Sequence, residues 1–114
     1  MVTPVTLPEH VRSLVERVLS SPAAESSPAS RQAVYDYTAA LTRREPYAGA
    51  VPPVAEPYLR KVALNAYKVL DREVEAMGAA GMSTGEIFEV TVVAAVSAGA
   101  TRMEIALAAL EEVR

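Results

Sequence analysis

Apolar residues recur at helical spacing along most of the chain, and the first such pattern lies near its start. Its members follow one another at alternating intervals of three residues and one residue: Val11, Leu14, Val15, Val18 and Leu19. This spacing predicts an amphipathic helix over about residues 7–20. Thr6 and Glu9, with Pro8 between them, form a candidate capping box at its start. The Ser-, Pro- and Ala-rich stretch 20–29 predicts a loop.

Ser27 and Pro28 are typical of a second helix start, and the following pattern predicts a helix to about Arg44. Its inward positions are Val34, Tyr37 and Leu41. Residues 45–57 then hold four prolines and one glycine. If they were a linker, the two flanking pieces would be too small to fold alone, so we expect a surface loop within one domain, 1–114.

A third helix is predicted from Glu56 or Pro57 to near Leu70, with an apolar stripe opposite its lysines. Asp71 is then expected to cap a short helix, 72–80, which Gly81 ends. Ser83 and Glu86 form another candidate capping box, and this one opens the last helix, 84–113.

The last helix has two opposite faces. One stripe is polar and continues across Gly99: Glu86, Glu89, Ser97, Thr101, Glu104 and Glu111. The other face is apolar: Ile87, Phe88, Val92, Ala95, Met103, Ala106 and Leu110. Because the stripe is continuous, we expect one helix of about 45 Å, with Gly99 as a point of kinking, rather than two helices. Such a helix is longer than a globule of this size, so it either overhangs its domain or packs against a second copy.

No strand-like alternation and no internal repeat occur, so the predicted class is all-α, with five to six helices and a long C-terminal one. Hydrophobic residues make up 51% of the 114 residues and the net charge is −3, which gives no basic footprint for nucleic acid. Cys is absent and His10 is the single histidine, so thiol chemistry, iron–sulfur clusters and a transition-metal site are not expected, and no cofactor is predicted. The start lacks a signal-peptide pattern and the apolar run 90–100 is short, which predicts a cytoplasmic protein without a membrane span.

Two residues of the last helix are candidates for chemistry. Glu89 borders apolar positions, where a carboxylate can have a raised pKa and act as an acid or base; alternatively, it lies at the edge of the polar stripe. Arg102 lies among apolar positions, where it either binds an anionic substrate or forms a packing contact or an ion pair.

The third helix region supplies the other candidates. Lys68 is a candidate base and Tyr67 a candidate proton donor, while Tyr58 and Lys61 are candidate substrate-binding residues. The alternative is a solvated basic face with tyrosines at its flank.

Residues 58–110 resemble the AhpD-like, or carboxymuconolactone decarboxylase-like, superfamily. The resemblance lies in an Asp-initiated short helix from Asp71, the Gly81-Met82-Ser83 turn and the long Ala/Val-rich helix that follows. It implies an all-helical fold and a homo-oligomer, most often a trimer or hexamer. The Cys-x-x-Cys pair of the family's peroxidase branch is missing, and no counterpart of the decarboxylase branch's catalytic histidine region is found, so the resemblance implies fold and assembly rather than a reaction.

Two functions are therefore expected. The first is a Cys-less AhpD-like protein, not a thiol peroxidase, that binds a small acidic or aromatic metabolite or catalyses proton transfer or a lyase step. Its candidate catalytic residues are Lys68, Tyr67 and Glu89, and its candidate binding residues are Arg102, Tyr58 and Lys61. The second is a non-catalytic homo-oligomeric interaction or scaffold protein. A cavity between the third and last helices that contains Lys68 or Arg102 would favour the first.

Overall fold

The computed structural model describes residues 6–22 and 24–113, and the part it describes contains five α-helices and no strand. The first four residues, on which the signal-peptide prediction depends, lie outside these ranges. The helices are α1 (Glu9–Ser20), α2 (Pro28–Arg43), α3 (Glu56–Leu64), α4 (Asp71–Ala79) and α5 (Thr84–Glu112), with a 3-10 turn, Ala66–Lys68, between α3 and α4. The all-α class and the long C-terminal helix are confirmed.

Helix α5 is the centre of the fold. It packs mainly against α2 and α3, while α1 and α4 contact its sides. Its buried residues all lie between Val90 and Thr101. They meet a core contributed by α2, α3, α4 and the loop before α3: Val34, Tyr37, Ala55, Tyr58, Leu59 and Met77. The core thus covers only the middle of α5.

Helix α5 is continuous through Gly99, as the unbroken stripe predicts. Its 29 residues span about 44 Å and run through a molecule of 51 × 30 × 25 Å. Unexpectedly, part of the polar stripe faces inward: Ser97 and Thr101 are 0% and 2% exposed. The Ser97 hydroxyl donates to the backbone carbonyl of Tyr35 at 2.6 Å, which satisfies the buried polar group and holds α5 close to α2.

Several predicted helix ends are confirmed. The Ser27 hydroxyl accepts from the Ser30 amide at 3.1 Å and caps α2. At α5, the Ser83 hydroxyl accepts from the Glu86 amide, and the Glu86 carboxylate accepts from the Ser83 amide, each at 3.1 Å. Gly81 follows α4 with φ of 103°, a conformation that glycine adopts without a side-chain clash.

Three predicted boundaries are wrong. Helix α1 begins at Glu9, and Pro8 rather than Thr6 is its N-cap, so the expected capping box is not formed. Asp71 is the first residue of α4, and Leu70 is the N-cap in its place. The Leu70 amide donates to the Glu73 carboxylate at 2.8 Å.

The third error concerns the end of α3, which stops at Leu64 instead of near Leu70. Asn65 leaves the helical conformation, with φ of −149° and ψ of 62°. The carbonyl of Ala63 is near the end of the helix, where carbonyls lack intrahelical partners, and it accepts instead from the Arg102 guanidinium. Local sequence does not reveal this long-range partner.

Candidate functional site

Glu89 ties α5 to the segment that precedes α2. Its carboxylate accepts from the amides of Glu25 and Ser26 at 2.8 and 2.7 Å and from the Ser26 hydroxyl at 2.5 Å. The hydroxyl of Ser26, followed by these amides, lowers the pKa of the Glu89 carboxyl. The pKa of Glu89 is therefore lowered instead of raised, because hydrogen bonds to the charged form outweigh its desolvation.

Arg102 holds the end of α3. Its Nη2 donates to the Ala63 carbonyl at 2.5 Å. Glu104, two residues further along α5, pairs with Arg43 of α2 at 2.5 Å and so is directed away from Arg102. The packing interpretation of Arg102 describes this contact, and the side chain is otherwise exposed.

Tyr58 and Lys61, both on α3, have partners within the fold. The Tyr58 hydroxyl lies 2.7 Å from the Thr91 hydroxyl, which itself donates to the Ile87 carbonyl, so Tyr58 is the donor of the pair. Lys61 Nζ pairs with the Glu73 carboxylate at 2.9 Å. Lys61 and then the Leu70 amide lower the pKa of the Glu73 carboxyl. Both α3 residues thus join helices to each other.

Tyr67 and Lys68 lie on the 3-10 turn between α3 and α4. Tyr67 is 82% exposed, and Lys68 is also exposed, with its Nζ 5.7 Å from the centre of the Tyr67 ring. These two predicted site residues are neighbours. The other four point to separate contacts, so the six do not converge on one place. No group of residues suited to hold a metal ion occurs in the ranges the structure describes.

A cavity of about 460 Å³ lies where the C-terminal ends of α2 and α3 meet α5. Its lining combines two arginines, two uncharged polar residues and three apolar residues: Arg44, Arg102, Asn65, Thr42, Leu41, Leu64 and Ile105. No acidic residue lines it. The cavity lies between the third and last helices and includes Arg102, which is the arrangement expected of a ligand-binding site.

Arg44 is held in an unusual backbone conformation at this cavity. It ends α2 with φ of 59°, the one positive φ of a non-glycine residue among the described ones. Its amide donates to the Leu41 carbonyl at 3.1 Å, and the Glu45 amide donates to the Ala40 carbonyl at 2.9 Å. Glycine is the usual residue at such a helix end, since a side chain is strained there. An arginine at this position places a cation at the cavity at the expense of stability.

Most of the apolar face of α5 is left uncovered, although Ile87 packs against the core. Seven residues recur at intervals of four, three, four, four, three and four: Phe88, Val92, Ala95, Gly99, Met103, Ala106 and Leu110. At about 100° per residue they share one narrow stripe, hereafter the α5 stripe. Six of the seven are exposed, including Phe88 at 68% and Leu110 at 60%, and Val92 is half-buried. Helix α5 is also long and apolar enough to cross a membrane, by length and composition alone, although its other side forms the core.

The structure gives three residues roles that the sequence pattern does not predict. Arg31 is 2% exposed and donates to the carbonyls of Val18 and Ser21 at 2.9 and 2.8 Å, which ties α2 to the end of α1. Ser26 binds Glu89, and Tyr37 has a buried hydroxyl without a partner. Arg31 lies three residues before Val34, and this helical spacing places it on the inward face of α2. The burial of Arg31 could have been predicted from this spacing.

No family model, curated protein or solved structure matches this chain. The class that the fold itself defines is an all-α domain built around one long C-terminal helix.

Proposed function

We propose that this protein is a self-associating interaction module in which the α5 stripe packs against the same stripe of a second copy. The observation that carries the proposal is the exposure of six of the seven residues of this stripe, from Phe88 to Leu110. Large apolar patches on a small domain mark contact surfaces, and α5 has no covering element on this side. The AhpD-like resemblance, which implies a homo-oligomer, supports the same proposal.

The spacing of the stripe favours a second copy over an unrelated partner. Phe88 and Leu110 lie eleven residues before and after Gly99, Val92 and Ala106 seven, and Ala95 and Met103 four. The pattern is therefore symmetric about Gly99. In an antiparallel pair of α5 helices that crosses at Gly99, Phe88 of one copy lies level with Leu110 of the other. The pairs at seven and four residues from Gly99 are level in the same way. This is the self-complementarity that a twofold contact requires.

The centre of the stripe suits a close helix crossing. A Cβ added at Gly99 meets no atom within 4 Å, so nothing in the same chain fills the space beside it. Gly99 and Ala95 together form a small surface between the larger Phe88 and Leu110 ends, which allows the two helices to approach. A contact of this kind pairs protomers, so any closed assembly built on it has an even number of chains, a dimer or a hexamer rather than a trimer.

Sedimentation equilibrium of the Gly99→Gln variant tests the proposal. Glutamine is a better helix former than glycine, and the side chain fits the single chain, so we expect the protomer to gain about 0.5 kcal/mol of stability. Association is expected to weaken by about tenfold or more, because the side chain separates the two helices. Gly78→Gln is the matched control: Gly78 is exposed on α4, and a Cβ there also meets no atom within 4 Å.

A wild-type protein that sediments as a monomer at high concentration contradicts the proposal, as does equal association of the two glycine variants. A monomer that instead binds neutral phospholipid vesicles through α5 also contradicts it, and would assign the stripe to a lipid surface.

The cavity at Arg44 and Arg102 favours a second function, binding of a small carboxylate such as an acidic or aromatic metabolite. Two arginines line a cavity whose lining contains no acidic residue, and its apolar residues accommodate the rest of the ligand. The residues that line the cavity include no histidine, lysine, tyrosine or carboxylate that could transfer a proton. Binding is therefore the part of the expected activity that this cavity supports.

Calorimetric titration with acetate, benzoate and succinate at 150 mM salt tests this second function. Arg44→Gln and Arg102→Gln should each weaken the binding of the preferred acid by about tenfold or more, since each removes a charged hydrogen bond. Arg17→Gln, on the exposed side of α1, removes the same charge elsewhere and should leave the affinity unchanged. Equal loss in all three variants would show that the anions bind without a site.

A further inference from the structure

A second cavity, of about 440 Å³, shares only Leu41 with the lining of the Arg44–Arg102 cavity. Its walls come from the C-terminal half of α2, the proline-rich loop after it and the first turns of α3. Five of its lining residues carry polar groups: Tyr37, Glu45, Tyr47, Glu56 and Arg60. The volume lies within the range of small-molecule sites in proteins.

The Tyr37 hydroxyl at this cavity has no hydrogen-bond partner within the described residues, although the side chain is only 7% exposed. Buried hydroxyl groups are almost always hydrogen-bonded, because an unpaired one loses the water it had in the unfolded chain. The ring is fixed by an edge-to-face contact with Tyr47, with centroids 5.7 Å apart. The Tyr47 hydroxyl donates to the Ala33 carbonyl at 3.2 Å, so it is not available to Tyr37.

The charges around the hydroxyl are of both signs. Burial raises the pKa of Tyr37. Glu56 raises it further, through its charge and as an acceptor beside the hydroxyl, and Arg60 lowers it. Both side chains therefore lie close to the hydroxyl, although neither meets the geometry of a hydrogen bond. Tyr37 therefore keeps its proton at neutral pH and is a donor. Glu56 and Arg60 lie one turn apart on α3, yet no ion pair joins them among the salt bridges of the described residues. Glu45 adds a second carboxylate, which gives this cavity two negative charges and one positive charge.

We propose that this cavity binds a small zwitterion of the amino-acid type, with its carboxylate at Tyr37 and Arg60 and its ammonium group at Glu45 and Glu56. A ligand with both charges pairs all four groups. A simple amine leaves the Tyr37 hydroxyl and Arg60 without an acceptor. A simple carboxylate faces two like charges. This site is separate from the α5 stripe and from the Arg44–Arg102 cavity. A negative result for amino-acid binding therefore does not affect the other two proposals, and a negative result for either of them does not affect this one.

Saturation-transfer NMR and calorimetry of the full chain with the L-α-amino acids test the proposal. Each amino acid that binds is compared with its decarboxylated amine and with its N-acetyl derivative, which carry one charge each. We expect both derivatives to bind at least about tenfold more weakly, since each loses one charged pairing. Absence of binding by every amino acid, or equal binding of the amine alone, overturns the proposal.

Tyr37→Phe removes only the hydroxyl and is the decisive variant. It should weaken amino-acid binding by about tenfold while leaving Tm unchanged or higher, because no hydrogen bond within the chain is lost. Tyr35→Phe is the matched control, since Tyr35 lies on the same helix, is half-buried and does not line the cavity. A lower Tm of Tyr37→Phe with unchanged binding would show that the hydroxyl has a structural partner, such as an ordered water, and would overturn the assignment.

Discussion

The carboxylate of Glu89 accepts two hydrogen bonds from Ser26, one from its amide at 2.7 Å and one from its hydroxyl at 2.5 Å. The two residues are 63 positions apart, so this contact fixes the loop before α2 on the surface of α5. Glu89→Ala leaves the amides of Glu25 and Ser26 without their acceptor, and we expect a lower Tm than in the wild type. Glu75→Ala, an exposed carboxylate of α4, is the control and should leave Tm nearly unchanged. Equal Tm values would contradict a structural role for Glu89.

Stability should fall in acid because of Glu89 and Glu73. Both carboxyl groups have lowered pKa values in the folded protein, Glu89 through Ser26 and Glu73 through Lys61. Below the unfolded pKa of about 4.5, the unfolded chain binds more protons than the folded one, so the free energy of unfolding decreases with falling pH until the folded pKa is passed. Urea denaturation at pH 7, 4.5 and 3 measures this loss. Glu89→Gln should reduce the pH dependence, and an unchanged dependence would contradict the assignment.

Arg44→Gly should stabilise the fold and weaken carboxylate binding at the same time. Glycine removes the side-chain strain of the positive φ, which is partly offset by its greater freedom in the unfolded chain, for a net gain of about 0.5–1 kcal/mol. Urea denaturation measures the stability, and titration with benzoate measures the binding. A destabilised variant would show that the Arg44 side chain itself supports the end of α2.

Arg31→Lys should destabilise the protein by about 1–3 kcal/mol, since hydrogen bonds to a buried charged group are strong ones. The guanidinium donates from two nitrogens to two carbonyls, of Val18 and Ser21, and an ammonium group on a flexible stem does not reproduce this fork. Arg43→Lys, in a partly exposed ion pair with Glu104, is the control and should cost well under 1 kcal/mol. Thermal denaturation of both variants compares them, and equal losses would contradict the special position of Arg31.

Local patterns predicted the helices, because apolar spacing and caps such as Ser27 and Ser83 are encoded within a few residues. The end of α3 was mispredicted, since the contact between the Ala63 carbonyl and Arg102 is made across 39 positions. The same limit applies to the site. Arg102 is a binding candidate in the sequence because it lies among apolar positions. Arg44 lines the same cavity, but its positive φ is visible only in the structure.

The unpaired Tyr37 hydroxyl was also beyond sequence reasoning, which assigned this residue to the inward face of α2 without its surroundings. The two faces of α5 were recognised from the pattern, whereas the burial of Ser97 was not, because it depends on the carbonyl of Tyr35 on another helix.

Thiol cross-linking at single positions of the α5 stripe tests the central proposal most directly, because the natural chain has no cysteine. Gly99→Cys, Phe88→Cys and Leu110→Cys are treated with a bifunctional maleimide that spans about 10 Å, the distance between packed helices. In an antiparallel pair that crosses at Gly99, position 99 meets its own counterpart, while the two copies of position 88 lie about 33 Å apart along the axis. We predict that Gly99→Cys links to itself, that Phe88→Cys does not, and that a mixture of Phe88→Cys and Leu110→Cys forms linked pairs. Absence of links at position 99, or self-linking of position 88 as efficient as that of position 99, would contradict the account.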